Sequence, residues 1–494
     1  MNLYKHANAI FYQGGKHVRK IIFVGILVLV LMVSMAPTSA VTNNSPKKVF
    51  VQIDGSITDE VLDQLKANGL KVLYVFDEIG FVAGIAKDKD LNKISQLGFV
   101  KGVGEDIQVH ITSETLPSAS PYGFGVYTWN LDMINVPTVH EEMGYTGKGV
   151  YIAVLDTGLV PNWRDYFEED KIAAEFGRAF LAMSLNAQPN PNAWEADTHS
   201  HGTHVTSTII GFWVYDLYRV SGVAPDAKII PVKVLHNNGF GWSTDIAAGI
   251  LYIADLYKAE KDSGGAVLPP YDEINPIVIS MSLGGPVLSP IEKAAIDYAI
   301  GEGVFIVAAA GNDGELGMDY PGAYEPVISV GAAGWIGEWL AGGWWRFSDV
   351  PEDLTYQVYV TDFSGRAKEG QDLDVLAPGS WVVGPYLAYG AAHPPYWANG
   401  VPGQYYYLGG TSMATPHVSG IVALMLEKDM EEDGHVDLTQ AEVENILEST
   451  AMPITWDSAW IVDINAGALV EISWGEDAVG SGLVQADKAV AAVG

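Results

Sequence analysis

Short apolar runs alternate with stretches of helical periodicity along most of this chain. Gly149–Leu155, Lys228–Val234, Ile277–Met281, Val304–Ala309 and Val327–Val330 are runs of the kind that fill parallel strands buried on both faces. Thr244–Lys258 and Pro290–Gly301 lie between them and read as helices. This alternation predicts an α/β fold, a doubly wound and mostly parallel sheet with helices on both faces. Near the carboxyl end, Val418–Met425 reads as a buried helix that follows the glycine-rich turn at Gly409 and Gly410, with Pro416 in its first turn. Trp335–Tyr359 and the Tyr/Pro/Gly-rich Pro385–Tyr407 interrupt the pattern and read as surface loops.

A smaller unit precedes this one. Lys48–Ile53 is strand-like, Thr58–Ala67 carries Val61, Leu62 and Leu65 on one helical face, and Leu70–Phe76 and Gly80–Ala86 are β-rich. A second helix with Leu91, Ile94 and Leu97 on one side leads to a strand around Phe99–Ile111. The order β-α-β-β-α-β predicts a small α+β, ferredoxin-like domain over residues 41–111. Residues 112–121 shift to Thr, Ser, Pro and Glu, which is linker composition, and a third unit runs from 122 to 494. At the amino terminus Lys16, Arg19 and Lys20 precede the apolar run Ile21–Val33, and Thr38-Ser39-Ala40 supplies small residues. Residues 1–40 therefore read as a cleaved secretory signal; the run is short for a membrane span.

Charge narrows the partners. The formal charge is −33, and removal of the four basic residues of the signal takes it to −37. So anionic a chain repels nucleic acid and anionic lipid, and neither is expected as a partner once the signal is gone. The absence of cysteine removes disulfides, thiol catalysis and thiolate metal sites together.

Three polar positions punctuate the apolar pattern. The strand Val150–Leu155 runs into Asp156-Thr157-Gly158, placing a carboxylate at the carboxyl end of a buried parallel strand, where sites gather in open α/β sheets. Alone, Asp156 reads equally as a turn residue. Ser200-His201-Gly202-Thr203-His204-Val205 opens an apolar helical run, and its two histidines have metal-compatible spacing, but no HExxH pattern accompanies them. Ser412, in Gly410-Thr411-Ser412-Met413-Ala414-Thr415-Pro416-His417, stands at a helix start, where a serine serves as an N-cap or as a nucleophile. A hydroxyl, an imidazole and a carboxylate together satisfy the logic of nucleophilic acyl transfer.

Taken in the order Asp, His, Ser, these three blocks resemble the signature blocks of the subtilisin-like serine proteases, the subtilases. The likeness extends from about Trp129 to Ala492. It implies Asp156, His201 and Ser412 as the triad, and Asn312 of Ala308-Ala309-Ala310-Gly311-Asn312 as the oxyanion donor. It also implies two edges that hold an extended peptide, Gly239-Phe240-Gly241 on one side and Ser282-Leu283-Gly284 on the other, with Ala310 and Gly311 alongside. Residues 48–111 resemble the family's propeptide, an intramolecular chaperone and inhibitor that makes the product a zymogen. A slow-folding parallel sheet gives such a template a purpose.

Two positions qualify the likeness. Asp165 matches a calcium-ligand aspartate of the family, so a structural calcium ion is expected there, with no cofactor for catalysis. Where relatives carry an Asn-rich calcium loop, Gly211–Arg219 offers few oxygen ligands besides Asp216. Asp319, before Tyr320-Pro321-Gly322, falls near the floor of the family's primary specificity pocket, where a buried carboxylate would favour a basic substrate residue. No Lys or Arg lies between Lys101 and Lys148, so a strictly basic preference would prevent self-release in the linker. The resulting expectation is a secreted, monomeric, broad-specificity serine endopeptidase acting on proteins and peptides. The alternative is an inactive subtilase-fold protein that binds peptides or serves a surface layer.

Overall fold

The N-terminal layer follows the order that its periodicity predicts. Its elements are β1 (Pro46–Ile53), α1 (Asp59–Ala67), β2 (Lys71–Phe76), β3 (Phe81–Lys87), α2 (Asp88–Ile94) and β4 (Val100–Glu105). They form an antiparallel sheet in the order β2-β3-β1-β4, the split arrangement of ferredoxin-like folds. Thr58 caps α1, its hydroxyl accepting from the Val61 amide at 3.4 Å. Val49, Val51, Ile53, Leu65, Leu70, Val82 and Ile94 close the small core beneath.

The expected strand over 99–111 divides in two. After β4 the chain turns at Asp106, and β5 (Gln108–Ile111) leaves the small sheet for the larger unit. The turn is held from outside the layer. Asp106 Oδ1 accepts from Ser243 Oγ at 2.7 Å and from the Thr244 amide at 3.0 Å, the first residues of a long helix. A carboxylate at a helix N-terminus meets both the exposed N–H groups and the favourable dipole. Local periodicity carries no trace of a partner 137 residues away.

This computed structural model describes residues 46–111, 128–181, 190–214, 218–270, 273–338, 350–387, 405–431, 434–463 and 467–494. The expected signal segment, the linker and the start of the large unit at 122 lie outside the described residues. From Asn44 to Gly494 the chain is one compact unit.

The large unit contributes β6 (Tyr151–Asp156), α3 (His201–Ile210), β7 (Lys228–Lys233), β8 (Phe240–Trp242), α4 (Ser243–Ser263), β9 (Ile277–Met281) and β10 (Leu283–Gly284). Then come α5 (Pro290–Gly301), β11 (Phe305–Ala309), β12 (Ile328–Trp335), β13 (Val358–Val360), β14 (Val375–Pro378), β15 (Val382–Pro385) and β16 (Tyr405–Leu408). The chain ends through α6 (Thr411–Asp429), α7 (Gln440–Thr450), the hairpin β17 (Ser458–Asp463) and β18 (Ala468–Ser473), and α8 (Ala486–Ala491). The main sheet runs β13-β12-β11-β9-β6-β7, with the two-residue strand Arg178–Ala179 beyond β7 and β14 beside β12. All its pairings are parallel except β12 with β13.

Side-chain parity explains the two layers of helices. Along β6, Tyr151, Ala153 and Leu155 pack with Ile246, Ile250, Ile291 and Ala295 of α4 and α5. Ile152 and Val154 point the other way, to Val205 and Ile209 of α3 and Val418 and Ile421 of α6. Every β6 position is buried, which is why these strands read as continuous apolar runs. Two of the expected loops contain strands: Trp335 closes β12, Val358–Tyr359 belong to β13, and Tyr405–Tyr407 to β16. Among the described residues no helix is long and apolar enough to cross a membrane.

Helix α6 is buried at every position from Thr411 to Leu426, and it starts earlier than its apolar run suggests. Pro416 is consequently the sixth helical residue and not part of the first turn. Lacking an N–H, it leaves the Ser412 carbonyl, four residues back, without its helical donor. Ser282 Oγ supplies that bond at 2.9 Å.

Candidate active site

The carboxyl ends of four adjacent strands gather the polar residues. In sheet order, Asn312 follows β11, Ser282 follows β9, Asp156 ends β6 and Lys233 ends β7. This is where a parallel sheet with helices on both faces exposes a crevice. Helices α3 and α6, on one face of the sheet, pack against each other, and each begins with a residue block singled out above.

Asp156 and His201 form a buried pair. His201 Nδ1 lies 2.8 Å from both carboxylate oxygens, and neither side chain is exposed. Oδ1 also accepts from the Thr157 amide at 2.6 Å. With both carboxylate oxygens facing Nδ1, the pair favours the tautomer with the proton on Nδ1 and leaves the buried Nε2 with its lone pair. Gly202 makes the approach possible. A Cβ there would sit 2.5 Å from the Gly158 carbonyl oxygen and 3.2 Å from Asp156 Cβ, so any other residue would push α3 off the end of β6.

Ser412 is tied to Ser282 in both directions. Its hydroxyl donates to the Ser282 carbonyl at 3.2 Å, while Ser282 Oγ donates to the Ser412 carbonyl. Asn312 lies beside the same turn, its Oδ1 accepting from the Thr411 amide at 2.9 Å and from Thr411 Oγ1 at 3.0 Å. Because the Thr411 amide can only donate, the Asn312 oxygen is fixed toward it. The amide nitrogen then faces Gly410, whose Cβ, were there one, would stand 3.3 Å away.

The two edges enclose a strand of this same chain. β5 lies between β8 and β10, antiparallel to both: Gln108, Val109 and His110 oppose Trp242, Gly241 and Phe240, and His110 and Ile111 oppose Gly284 and Leu283. Of the residues expected as edges, Phe240, Gly241, Leu283 and Gly284 pair with β5, and so does Trp242. Gly239 does not pair with β5; its amide bonds the His236 carbonyl in the preceding turn. Ala310 bonds Val330 and Asp319 through its backbone, and Gly311 accepts from the Gly365 amide. The Asp319 side chain is buried beneath Gly284 and Gly311, against the Cβ position of each.

Other residues at the site had no motif to announce them. Asp197 is fully buried, and its carboxylate accepts from Thr157 Oγ1 and from the amides of His199 and Ser200, all at 2.8 Å. Lys233 Nζ approaches it at 3.8 Å, donates to the Thr157 carbonyl and reaches Asn237 Oδ1 at 2.8 Å. Thr157 Oγ1 accepts in turn from the Gly202 amide at 3.0 Å. The network ties the residue after Asp156 to the residues flanking His201. It also holds Ser200 at φ +74°, an unusual conformation that costs about 1–3 kcal/mol for a residue other than glycine. Burial pushes the Asp197 carboxyl up and the Lys233 ammonium down, each partly offset by the other's charge. The one legible signal was Lys233 itself, a charge inside an apolar strand. His199 packs edge-on to His201 at 6.2 Å, and burial, then the neighbouring imidazole, hold it down at about 4, so it is neutral at physiological pH.

The second histidine of the block is not placed as a metal ligand beside His201: His204 Nε2 meets the Val382 carbonyl at 3.1 Å. Asp165 sits in a single helical turn, with Asn162 Nδ2 donating to its Oδ2 at 3.0 Å. Calcium wants six to eight oxygens. Among the described residues no close group of three acidic or histidine side chains includes Asp165, so the further oxygens of a calcium site there would come from amide and backbone carbonyls. Residues 215–217 of the loop carrying Asp216 lie outside the described residues.

One such group does exist elsewhere, where Asp372, Asp374 and Glu444 bring a ligand atom each within 4.8 Å. Burial holds Asp374 up at about 7; burial and the charges of Asp374, Glu448, Asp372 and Glu325 hold Glu444 up at about 8. Raised carboxyl values stabilise the fold fully below the unfolded value of about 4, and that contribution is lost as pH rises through 7–8. Glu444→Gln is therefore expected to gain thermal stability over the parent, by a margin that widens from pH 5 to pH 9. Melting temperatures across that range check it, and a constant margin would refute the assignment.

A serine at a helix start, a carboxylate-oriented imidazole and an asparagine amide beside the serine's turn thus gather at one edge of a doubly wound α/β sheet. A profile of the subtilase family matches residues 147–484. The chain belongs to that family and is a serine endopeptidase. It is 31% identical over 395 residues to subtilisin NAT of Bacillus subtilis subsp. natto, covering 79% of this chain and 80% of that one. A thermostable alkaline protease of Halalkalibacterium halodurans is 27% identical over 407 residues, covering 82% and 88%. Among solved structures, fervidolysin of Fervidobacterium pennivorans, a keratinolytic enzyme, matches with a TM-score of 0.62 and 25% identity over 91% of this chain. The match spans 61% of that protein's length.

Proposed function

We propose that the chain is a secreted precursor that cleaves itself, with residues 41–111 serving as template and inhibitor and with Asp156, His201, Ser412 and Asn312 in the catalytic roles. The observation that carries this reading is β5 seated between β8 and β10, where an extended substrate would add a strand. The basic and apolar signal at residues 16–40 supports the secretory route.

In the reaction, Ser412 Oγ attacks the scissile carbonyl carbon while His201 Nε2 takes its proton. Asp156 holds the resulting imidazolium in place. The oxygen that becomes charged lies against Asn312 Nδ2 and the Ser412 amide. Collapse of the intermediate breaks the C–N bond, and His201 returns the proton to the leaving amine. A water molecule, deprotonated by the same imidazole, then releases the acyl group and restores the serine. Asn312→Ala is expected to lower kcat by about 10²–10³ with little change in KM, the loss such a donor shows in a subtilisin. Steady-state rates on a peptide anilide check it.

The register of β5 supports a position for the cut: Gly284 opposes His110 and Leu283 opposes Ile111, so the next residue of a peptide bound in this way would fall opposite Ser282, the residue bonded to Ser412. Self-cleavage is therefore expected between Thr112 and Ser113. Acceptance of a threonine there supports broad specificity despite Asp319. Sequencing the mature amino terminus should return Ser113 first; any other amino terminus from self-cleavage would refute the register.

A further inference from the structure

A cavity of about 140 Å³ opens beside the nucleophile turn and shares no lining residue with β8 or β10. Gly409, just before that turn, forms one side, with Phe363 and Trp381 next to it. The hairpin closes the opposite side through Ile461 and Ile472. Its wall is fixed to the nucleophile helix, because the Gly410 amide donates to the Gly379 carbonyl at 2.8 Å. Trp381 is held at φ +36°, a conformation that costs a bulky residue about 1–3 kcal/mol and persists only where surrounding structure imposes it.

The charge in this cavity has one sign. Asp362 and Asp463 line it, and no Lys, Arg or His does among the described residues. Tyr359 and Ser380 form its polar wall, and one hydrogen bond behind them lies Glu338, 3% exposed. The Tyr359 hydroxyl and Ser380 Oγ (2.8 Å) both donate to Glu338 Oε1, while Oε2 has no hydrogen-bond partner among the described residues. Burial holds that carboxyl up at about 8. Glu338 itself does not line the cavity; by accepting both hydroxyl protons it leaves lone pairs on the Tyr359 and Ser380 oxygens of the cavity wall as acceptors.

We infer that this cavity receives a side chain from the leaving-group part of the substrate, and that the side chain it fits is lysine or arginine. The acyl part is accounted for by the strand between β8 and β10, and the cavity adjoins the turn that carries Ser412 without touching either edge. A lysine or arginine stem packs along Ile461, Ile472 and Trp381, as long basic side chains do on apolar surface. Its charge then meets Asp362, Asp463 and the hydroxyls polarised by Glu338. The inference rests on the endopeptidase reading above.

The test uses the mature enzyme and internally quenched peptides with one fixed acyl sequence. Arginine, lysine, norleucine and glutamate are placed in turn at each of the first two positions after the scissile bond. At one of them arginine and lysine should exceed norleucine in kcat/KM by about tenfold or more, the scale of one charge-assisted hydrogen bond. Glu338→Gln and Asp362→Asn should each shrink that ratio, and Asp362 is exposed, so its variant folds even if the buried change does not. Norleucine or glutamate peptides cut as well as arginine ones, or a ratio unchanged in the folded variants, would overturn the inference. An acyl ester with no residue beyond the scissile bond separates the two claims. Ester hydrolysis with a flat peptide ratio sinks only this inference, whereas no hydrolysis of ester or peptide sinks the reading beneath it.

Discussion

Ser412→Ala is expected to lower kcat by about 10⁶, the loss known for the nucleophile of a subtilisin, and to leave the precursor joined at Thr112–Ser113. Both effects follow from one missing oxygen. The Ser412 backbone is held by Ser282 through its carbonyl, so alanine leaves the turn in place and removes only the attacking atom. Asn312 stays bound to the Thr411 amide, and the residual rate reports the oxyanion donors and binding alone. A gel band at full precursor mass and no labelling by a serine-directed phosphonate are the expected readouts. Purified mutant that still processed itself would show that another residue, or another enzyme, cuts the linker.

The second large effect is on stability. Lys233→Met preserves much of the side-chain volume but leaves the Asp197 carboxylate fully buried without its cation. Breaking a buried pair in this way costs about 3–5 kcal/mol. The distance of 3.8 Å is long for a direct hydrogen bond, so the ammonium acts here mainly as a charge, with its donors spent on Thr157 and Asn237. Pairing Lys233→Met with Asp197→Asn should recover part of the loss, since the amide oxygen can still accept from Thr157 Oγ1 and the Ser200 amide without the buried charge, giving up only the bond from the His199 amide. Urea midpoints of the two singles and the double measure the coupling. A single-mutant loss below about 1 kcal/mol would mean that hydrogen bonds alone hold Asp197.

What the sequence disclosed and what it hid divide along physical lines. Strands such as Ile277–Met281 were legible because burial on both faces leaves an unbroken apolar run, and that is a local property. The site's three blocks were legible because each joins a strand or helix end to a fixed cluster of small residues. The break at Asp106 was not, since its cause is the start of α4. The apolar run alone puts Pro416 in the first helical turn, whereas Thr411 and Ser412 are already helical and buried. The Asp197–Lys233 network depends on residues 40 and 76 positions from Thr157, and no periodicity records such a meeting.

The reciprocal bonds between Ser282 and Ser412 have a further consequence. With Ser412 as the proposed nucleophile, they would fix the distance between the edge that a peptide pairs with and the atom that attacks it, so the cleft would work as a ruler. A peptide entering beside Leu283 and Gly284 is counted in whole residues from its first paired position, and the residue opposite Ser282 is always the one presented. On the proposed reading, backbone pairing would set which residues can be presented, and side-chain fit would choose among those registers. An enzyme built this way discriminates first between extended and folded segments of its targets, and only then between amino acids.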